Sequence, residues 1–519
     1  MTRNDRSARL PERERNRLLR RVDWRFLLSS PAPDRLLCLG DEELRASCAL
    51  IAGAVEARAD TGAGEYDTVV ASNPTPAILA TVLARLRAGG ELYAEWSGGM
   101  ADAARGQVAA AGFADVRCYW PWPAPPNAEV WVPLDAPWAF DYYVSTDRHV
   151  YSGLRHRLGT RARRYLARRA LATKRATPVS IIARKPAQAH AAAGGSAIVD
   201  AVRERTGSRG TTAVALLTGG PRAISKVIGL VYGEEQRVPA AIIKWPRVRD
   251  SVAGLSNESA VLAACHARAP SPGVPRVLAT IGEDDTFAVA ETAAAGAPMF
   301  ATLTSHNVAV RARAGAAWIS DFHLAHRGPP ASDAYLTGRA DAAIARFSET
   351  FGGVVDRALL DDTARILRGL RAVPVVIEHR DCGPWNIFLG DDGQLAVLDW
   401  ESSRVEGLPL LDLIYFVTYM AFFVDGAMVS RRFADSYRAS LDASTVTGAL
   451  RHELVARYGA AFGISRDAER ALRALCWMEH AESEFQHFTT DAAGSPSADA
   501  LRQSVFAQLW AEEIIDLGR

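Results

Sequence analysis

The chain has 519 residues and a formal net charge of +1, with 49% hydrophobic and 23% charged residues. This is a globular composition with room for about three domains, and the near-neutral charge gives no basis for nucleic-acid or membrane-surface binding. The six cysteines are scattered without a C-x-x-C pair, so neither a disulfide framework nor a zinc site is indicated. We therefore expect a protein of the reducing cytoplasm.

The first 21 residues are interpreted as a basic leader, either helical or frayed, that lacks the apolar stretch of a secretory signal. After the leader, strands alternate with helices. Buried strands are predicted at 35–40, 66–72 and 91–96, and helices at 42–55 and 77–87. This alternation predicts an α/β domain, with a parallel sheet covered by helices.

Three segments, YDTVVAS, LRAGGELYAEW and AGFADVRCYW, follow one another in this region. Their order resembles the second half of class I methyltransferases, in which an L-x-x-G-G turn precedes a strand and an A-G-F turn leads into a closing hairpin. The resemblance covers residues 22–186 and implies a Rossmann-like sheet, with Val179 to Lys185 completing the hairpin. Members of that family bind S-adenosylmethionine at a Gly-rich turn after their first strand.

The corresponding turn here is Leu39-Gly40-Asp41-Glu42-Glu43, which has one glycine and three carboxylates. Glu56 is the candidate acidic residue for the ribose hydroxyls of the cofactor. Because the turn departs from the family's pattern, S-adenosylmethionine binding is disfavoured. We expect a domain that keeps the fold and serves structure or substrate presentation, with an active methyltransferase as the alternative.

A basic helix is predicted at 156–174, where arginines interleave with apolar residues. A solvated helix face explains this pattern better than an anionic substrate or membrane partner. Residues 187–197 are small and flexible in composition and are interpreted as a linker, with the domain boundary near residue 190.

Beyond the linker, the segment LLTGGPRAISKVIGLVYG predicts a strand, a glycine turn and a second strand. Backbone N–H groups of such a turn can hold phosphates. Lys244 then closes the apolar strand AAIIKW, where a charge needs a partner or a ligand. Glu258, which together with Asn257 opens the next predicted helix, is the best candidate for that partner.

The most informative stretch is VIEHRDCGPWNIFLGDDGQLAVLDWE, which begins at Val376. His379, Asp381 and Asn386 follow the first of two short predicted strands, and Asp399 follows the second. Asp381 can accept a proton from an attacking hydroxyl, and the other two side chains, of Asn386 and Asp399, offer the hard oxygen ligands that Mg²⁺ prefers. Phosphoryl transfer needs such a set. A strand-turn-strand hairpin with polar loop residues is the alternative interpretation.

The spacing H-x-D-x-x-x-x-N followed by Asp-Trp-Glu resembles the aminoglycoside phosphotransferase and choline kinase group. Arg380 stands where that group often has glycine, as in protein kinases. The resemblance implies a bilobal α+β kinase-like domain at 198–519, with an N-lobe to about 297 and a C-lobe from about 298. It also implies ATP and Mg²⁺ as cofactors.

The same resemblance implies roles for individual residues. Asp381 would deprotonate the acceptor hydroxyl, His379 would support the loop, and Lys244 would hold the α- and β-phosphates. Asn386 and Asp399 would bind Mg²⁺. The remaining nucleotide contacts would come from the glycine turn, the lysine's partner and the backbone of the interlobe hinge: Gly219, Gly220, Ser225, Glu258, Glu291 and Ala293.

Several residues flank this set. Asp412 stands where the group often has an aspartate that braces the catalytic loop, and His323 is expected to be a packing residue. Glu479, Glu482 and Glu484 lie on a late predicted helix. In cation-modifying relatives, acidic residues of this region bind amino groups, although a solvated acidic face is the favoured interpretation.

We therefore predict an enzyme that transfers the γ-phosphoryl group of ATP to a hydroxyl of a small molecule, such as an aminoglycoside, a sugar-containing antibiotic, an amino alcohol or a biosynthetic intermediate. A methyltransferase with a regulatory kinase-like domain and a non-catalytic scaffold are the alternatives. The apolar run from Leu413 to Val424 is shorter than the ~20 residues that span a bilayer, so no membrane insertion is expected. The acceptor, the oligomeric state and the choice between ATP and GTP stay open.

Overall fold

The computed structural model describes residues 10–57, 65–146, 154–172, 177–187, 196–207, 212–234, 236–491 and 496–518. The chain divides into two compact units. The first runs from the N-terminal region to Ser259 and takes in Arg276–Ala293, and the second takes in Ala260–Pro275 and Ala294–Arg519. In the described part of the chain, no helix has both the length and the apolar character needed to cross a membrane.

The first unit is built on one sheet of twelve strands. Its N-terminal strands are β1 (Arg35–Leu39), β2 (Ala54–Glu56), β3 (Tyr66–Ser72), β4 (Leu86–Trp96), β5 (Ala114–Trp122), β6 (Val130–Pro133) and β7 (Val179–Arg184). The accompanying helices are α1 (Glu12–Arg21), α2 (Glu42–Cys48), α3 (Pro76–Arg85), α4 (Ala101–Ala110), α5 (Ala139–Thr146) and α6 (Leu154–Ala172).

The N-terminal half of this sheet is parallel at its centre. β1 pairs in parallel with β2 and β3, β3 pairs in parallel with β4, and β7 lies antiparallel between β4 and β5. The predicted strand at 66–72 is confirmed, and so is the pairing of the 179–185 segment with the strand after the A-G-F turn. The α/β architecture is therefore confirmed, while the relation to methyltransferases stays a prediction.

Several predicted boundaries in this half are wrong. The helix predicted at 77–87 ends at Arg85, because the chain becomes extended at Leu86, which is buried and pairs with Tyr66. The helix predicted at 42–55 ends at Cys48. In the basic leader the helical alternative is the one observed, as α1, whose Leu18 and Leu19 are buried.

The sheet continues through the strands of the predicted kinase N-lobe. These are β8 (Ala213–Leu217), β9 (Val227–Tyr232), β10 (Ala241–Trp245), β11 (Val277–Ile281) and β12 (Ala288–Thr292), with α7 (Ala197–Thr206) before them. They pair antiparallel in the order β8-β9-β10-β12-β11, and β6 pairs with β8 at Val130–Leu217 and Trp131–Leu216. Strands from both sides of the predicted boundary near residue 190 therefore share one sheet, and much of the predicted linker lies outside the described residues. The division into domains at that boundary stays a prediction.

The second unit is mainly helical. Helix α8 (Val252–Arg268) leads into it from the first unit, beginning five residues before the predicted start at Asn257. The strands are β13 (Ala297–Pro298), β14 (Val376–Glu378), β15 (Ile387–Leu389), β16 (Leu395–Val397) and β17 (Arg404–Gly407). The helices are α9 (Val308–Ala325), α10 (Asp333–Phe351), α11 (Arg357–Leu367), α12 (Leu411–Val424), α13 (Ala427–Ser430), α14 (Phe433–Leu441), α15 (Val446–Phe462), α16 (Arg466–Asp491), α17 (Ala498–Arg502) and α18 (Val505–Gly518).

Helix α12 is the centre of this unit. Eleven of its fourteen residues are buried, which accounts for the apolar run from Leu413 to Val424 as a core helix. The pairs β14–β17 and β15–β16 hold the loop that contains Asp381, and the first turn of α12 packs beneath that loop. The fold thereby places the polar motif on a short, firmly supported connection.

Candidate active site

The loop between β14 and β15, residues 379–386, is held by one buried carboxylate. The backbone N–H groups of His379 and Arg380 donate to the two oxygens of Asp412, each at 2.7 Å, and His323 Nε2 donates to the same carboxylate at 3.2 Å. Burial alone would raise the pKa of Asp412, but these hydrogen bonds outweigh it and the pKa is lowered. Asp412 is thus the loop brace that was predicted, and His323 supports it in addition to packing.

His379 ties the loop to the strand that follows it. Its Nε2 lies 3.0 Å from the carbonyl oxygen of Leu398, and its Nδ1 accepts from the backbone N–H of Asp381 at 3.2 Å. A neutral ring with its proton on Nε2 satisfies both contacts. Trp400, which is fully buried, packs edge-on against this ring at 4.6 Å. His379 therefore links the loop that contains Asp381 to the end of β16, where Asp399 follows.

The carboxylate of Asp381 is oriented from both sides. Asn386 Nδ2 donates to Oδ2 at 2.8 Å and to the backbone oxygen of Asp381 at 2.9 Å, and the Tyr415 hydroxyl donates to Oδ1 at 3.1 Å. Asn386 is buried, whereas Asp381 is half-buried. A carboxylate held in this way presents a fixed acceptor for a proton at the protein surface.

Asn386 and Asp399 lie on connected segments, since Leu398 N donates to the carbonyl of Asn386 at 2.9 Å. The amide nitrogen of Asn386 donates to Asp381, so the side-chain oxygen Oδ1 is the atom that could coordinate a cation. Asp399 follows β16 with a positive φ of 72°, and the next residue, Trp400, is anchored by a 2.8 Å bond from Nε1 to the carbonyl of Val397. Among the described residues, no three His, Cys, Asp or Glu side chains gather as a metal site would require. Two oxygen ligands nevertheless fit Mg²⁺, which keeps waters and phosphate oxygens as its other ligands.

In the first unit, Lys244 lies between two buried carboxylates. Its ammonium is 2.6 Å from Glu258 Oε1 and 3.0 Å from Glu291 Oε2. Burial raises the pKa of Glu291 to about 7, against the lowering effect of Lys244 and with a further rise from Glu258. The predicted Lys244–Glu258 ion pair is present. The side chain of Glu291, for which only a backbone role was predicted, is a second partner of the lysine.

The glycine turn between β8 and β9 is held through its carbonyl groups. Arg247 Nη1 donates to the carbonyls of Gly220 at 2.8 Å and Arg222 at 2.7 Å. A Cβ on Gly220 would lie 2.4 Å from Ser225 Cβ, so this close approach requires glycine. Arg247 is in turn held by Asp23, with Nε to Oδ1 and Nη2 to Oδ2 both at 2.9 Å. The N-terminal segment therefore fixes the conformation of this turn.

The turn considered for S-adenosylmethionine uses its polar groups locally. Asp41 Oδ1 accepts from Leu44 N at 2.8 Å and caps α2, while Glu43 pairs with Arg17 on α1. Glu56 accepts from Tyr66 and Arg35 at 2.5 and 2.9 Å. These contacts explain the carboxylates as structural groups, and none of them favours the cofactor.

The acidic residues of α16 are engaged with other side chains. Glu479 Oε1 and Oε2 accept from Arg339 at 2.8 and 2.9 Å, and Oε2 also accepts from Arg404 at 3.0 Å. Although burial opposes ionisation, these arginines lower the pKa of Glu479 to about 2. The prediction of a solvated acidic face is therefore wrong for Glu479, which is buried. Glu482 pairs with Arg346, and Glu484 accepts from Ser504 Oγ at 2.6 Å.

The model of a phosphotransferase enzyme family matches residues 151–446, more than half of the chain. The chain belongs to this phosphotransferase family. The match confirms the predicted small-molecule phosphotransferase class for the C-terminal part of the chain. A search of curated proteins finds no match.

Solved structures similar to this phosphotransferase include three aminoglycoside phosphotransferases. The APH(3'')-Id enzyme of Streptomyces rimosus is 16% identical over 55% of this chain and 96% of its own, with a TM-score of 0.32. The enzyme of Alicyclobacillus acidocaldarius is 16% identical over 56% of this chain and 89% of its own, with a TM-score of 0.34. A GDP and kanamycin complex of an APH(2") enzyme is 12% identical over 61% of this chain and 97% of its own, with a TM-score of 0.37.

Some groups that hold the candidate residues within each unit were missed by sequence reasoning. Tyr415 lies one helical turn after Asp412, and this spacing was a usable signal, since residues three apart share a helix face. Asp23 and Arg247 carried no such signal, because 224 residues separate them. The backbone contacts predicted for Ala293 and Glu291 with adenine, and the phosphate contacts of Gly219 and Ser225, stay predictions.

Proposed function

We propose that this phosphotransferase moves the γ-phosphoryl group of ATP to a hydroxyl of a small molecule. The observation that carries the proposal is the fixed carboxylate of Asp381, held by Asn386 and Tyr415 on a loop braced by Asp412. General-base catalysis depends on such positioning, because the base must meet the hydroxyl proton within hydrogen-bond reach.

In this proposal Asp381 accepts the proton of the acceptor hydroxyl as its oxygen bonds to the γ-phosphorus. The bond between that phosphorus and the β–γ bridging oxygen breaks, and ADP leaves with the electron pair. His379 is a positioning residue, since its ring bonds to the loop and to Leu398. Phosphoryl transfer relies mainly on positioning and charge stabilisation, which suits a rigid loop of this kind.

Nucleotide binding is assigned to groups of the first unit. Lys244, fixed by Glu258, would pair with the α- and β-phosphates, and the glycine turn with Gly219, Gly220 and Ser225 would lie over the phosphates. The buried position of Lys244 between two carboxylates supports this assignment, because a buried ammonium needs fixed anionic neighbours. The hinge backbone around Glu291 and Ala293 would bond the adenine.

Asn386 and Asp399 would hold Mg²⁺ through Oδ1 and the carboxylate, respectively. Bound there, the ion would neutralise charge that develops on the phosphates. What this chain supplies is two hard oxygen ligands whose positions are set by Asp381 and by the anchoring of Trp400.

The proposal is tested by an Asp381→Asn variant in an ATP-consumption screen over hydroxylated metabolites and aminoglycosides, with the acceptor's mass measured for an added phosphoryl group. We expect turnover to fall by roughly a thousandfold or more, within the range by which such groups contribute, while ATP binding is nearly unchanged. Asp391→Asn is the matched control, since Asp391 is exposed on the turn after β15. Full activity in Asp381→Asn would end the assignment.

A further inference from the structure

The surroundings of Asp381 in the second unit are unusually aromatic. Trp385 Nε1 lies 3.5 Å from Oδ2, and the Tyr415 hydroxyl donates to Oδ1. Four more rings adjoin these two within the unit. We call the set the aromatic face: Trp385, Tyr415, Tyr419, Phe423, His480 and Phe506.

The rings of the aromatic face form one connected surface. Trp385 meets Tyr419 edge-on at 4.6 Å, Tyr419 lies 4.8 Å from Tyr415, and Tyr415 stacks on His480 at 4.2 Å. Tyr415, Tyr419 and Phe423 come from successive turns of α12, which aligns them in a stripe. Phe506 continues the surface beyond His480, at 5.2 Å.

This surface is partly open to solvent and carries no charge. Of its six rings only Tyr415 is buried, at 5% exposure, and the other five are half-buried. Burial and the nearby charge of Arg380 lower the pKa of His480 to about 3, so the imidazole is neutral near pH 7. Half-buried rings beside a reacting group form the kind of wall that small-molecule sites use to bind apolar parts of a ligand.

Two of the three acidic side chains discussed on α16 are already paired with arginines. Glu479 is buried against Arg339 and Arg404, Glu482 pairs with Arg346, and Glu484 accepts from a serine. To bind Glu479 or Glu482, an ammonium group of the acceptor would have to displace these arginines. It would lose hydration without gaining a matched anion.

We infer that the acceptor carries a planar aromatic group next to its reacting hydroxyl. The inference rests on the proposed function, because it takes Asp381 as the point that the hydroxyl must reach. A hydroxyl bonded to Asp381 brings its neighbouring atoms against Trp385 and Tyr419. An aromatic ring fills that space with edge-to-face and stacked contacts.

The inference is tested by binding, which does not depend on turnover. Calorimetry with the full chain in the presence of a non-hydrolysable ATP analogue and Mg²⁺ would compare phenyl β-D-glucoside, methyl β-D-glucoside and kanamycin. The two glucosides differ only in the group on the anomeric oxygen, which is phenyl in one and methyl in the other. We expect the phenyl compound to bind at least tenfold more tightly than either of the others. A smaller preference, no measurable binding of the phenyl compound, or tighter binding of kanamycin overturns the inference.

Two variants locate the preference. Tyr419→Ala is expected to reduce the preference for the phenyl compound by tenfold or more while the ATP analogue binds as before. Tyr335→Ala, which removes a ring on α10 whose hydroxyl bonds the carbonyl of Glu406, is the control and should keep the preference. If Tyr419→Ala keeps the preference for the phenyl compound, the proposed contact between the acceptor's aromatic group and the aromatic face is overturned. Because Asp381→Asn turnover is measured separately, failure of the proposed function is distinguished from failure of this inference.

Discussion

Asp23 and Arg247 form a buried, two-pronged ion pair although they are 224 residues apart in the chain. Neither side chain is exposed to solvent. The remaining donors of the guanidinium reach the carbonyls of the glycine turn, at Gly220 and Arg222 among others. A residue of the N-terminal α/β region thereby sets the shape of the turn assigned to the nucleotide phosphates.

We expect Asp23→Ala to lower both stability and nucleotide affinity. Removing one partner of a buried ion pair costs about 3 kcal/mol or more, because the other charge is left without compensation. Arg247 would then leave the carbonyls of the turn, so KM for ATP should rise. Urea unfolding and steady-state kinetics measure the two effects, with Asp102→Ala on the exposed face of α4 as the control. A loss of stability with unchanged KM would assign the pair to folding alone.

The hydrogen bond from Tyr415 to Asp381 is expected to contribute to turnover. A bond to an ionised group is worth about 1.5 kcal/mol, so Tyr415→Phe should lower kcat by about tenfold and leave KM for ATP unchanged. Tyr165→Phe, which removes the hydroxyl of an exposed tyrosine on α6, is the comparison. Equal kcat values in the two variants would show that Asn386 alone orients the base.

Glu291 predicts a pH dependence of stability. Its pKa is raised from 4.5 to about 7 in the folded chain, chiefly by burial, so between these values the folded state holds a proton that the unfolded state releases. The free energy of unfolding therefore falls as the pH rises through this window. Glu291→Gln should gain stability relative to the wild type as the pH goes from 5 to 8, as measured by urea midpoints. Parallel profiles would contradict this, and the exposed Glu349→Gln gives the baseline.

Removal of residues 1–196 is expected to abolish folding of the first unit. β8 would lose its pairing with β6, which leaves an open sheet edge, and Arg247 would lose Asp23. We expect the 197–519 fragment to aggregate in size-exclusion chromatography. Co-expression with the 1–196 fragment should restore a soluble complex. A folded, monomeric 197–519 fragment would show that the N-terminal strands are dispensable.

Local patterns predicted a large part of this architecture. The apolar runs gave the strands at 66–72 and 179–184, and the spacing of His379, Asp381 and Asn386 placed them on one loop. These features depend on neighbours in the sequence. Leu86 is the instructive failure, since glycines after it suggested a turn, whereas burial and pairing with Tyr66 extend the strand.

Long-range contacts could not be predicted in the same way. Glu291 was assigned by its backbone only, because nothing in the sequence places its side chain against Lys244 on the neighbouring strand. The acidic residues of α16 were predicted to form a solvated face. Glu479 instead pairs with Arg339 and Arg404, which come from distant segments of the chain. The partner of a buried charge depends on tertiary structure, which a single sequence does not reveal.

Different turns of helix α12 contact the loop that contains Asp381 and contribute to the aromatic face. Its first two turns carry Asp412, which braces the loop, and Tyr415, which contacts Asp381, while Tyr419 and Phe423 lie farther along. The proposed binding of the acceptor and the proposed positioning of the base therefore depend on different turns of one helix. A combinatorial library confined to Tyr419 and Phe423 would be the natural route to redirecting this enzyme towards new molecules without rebuilding its chemistry.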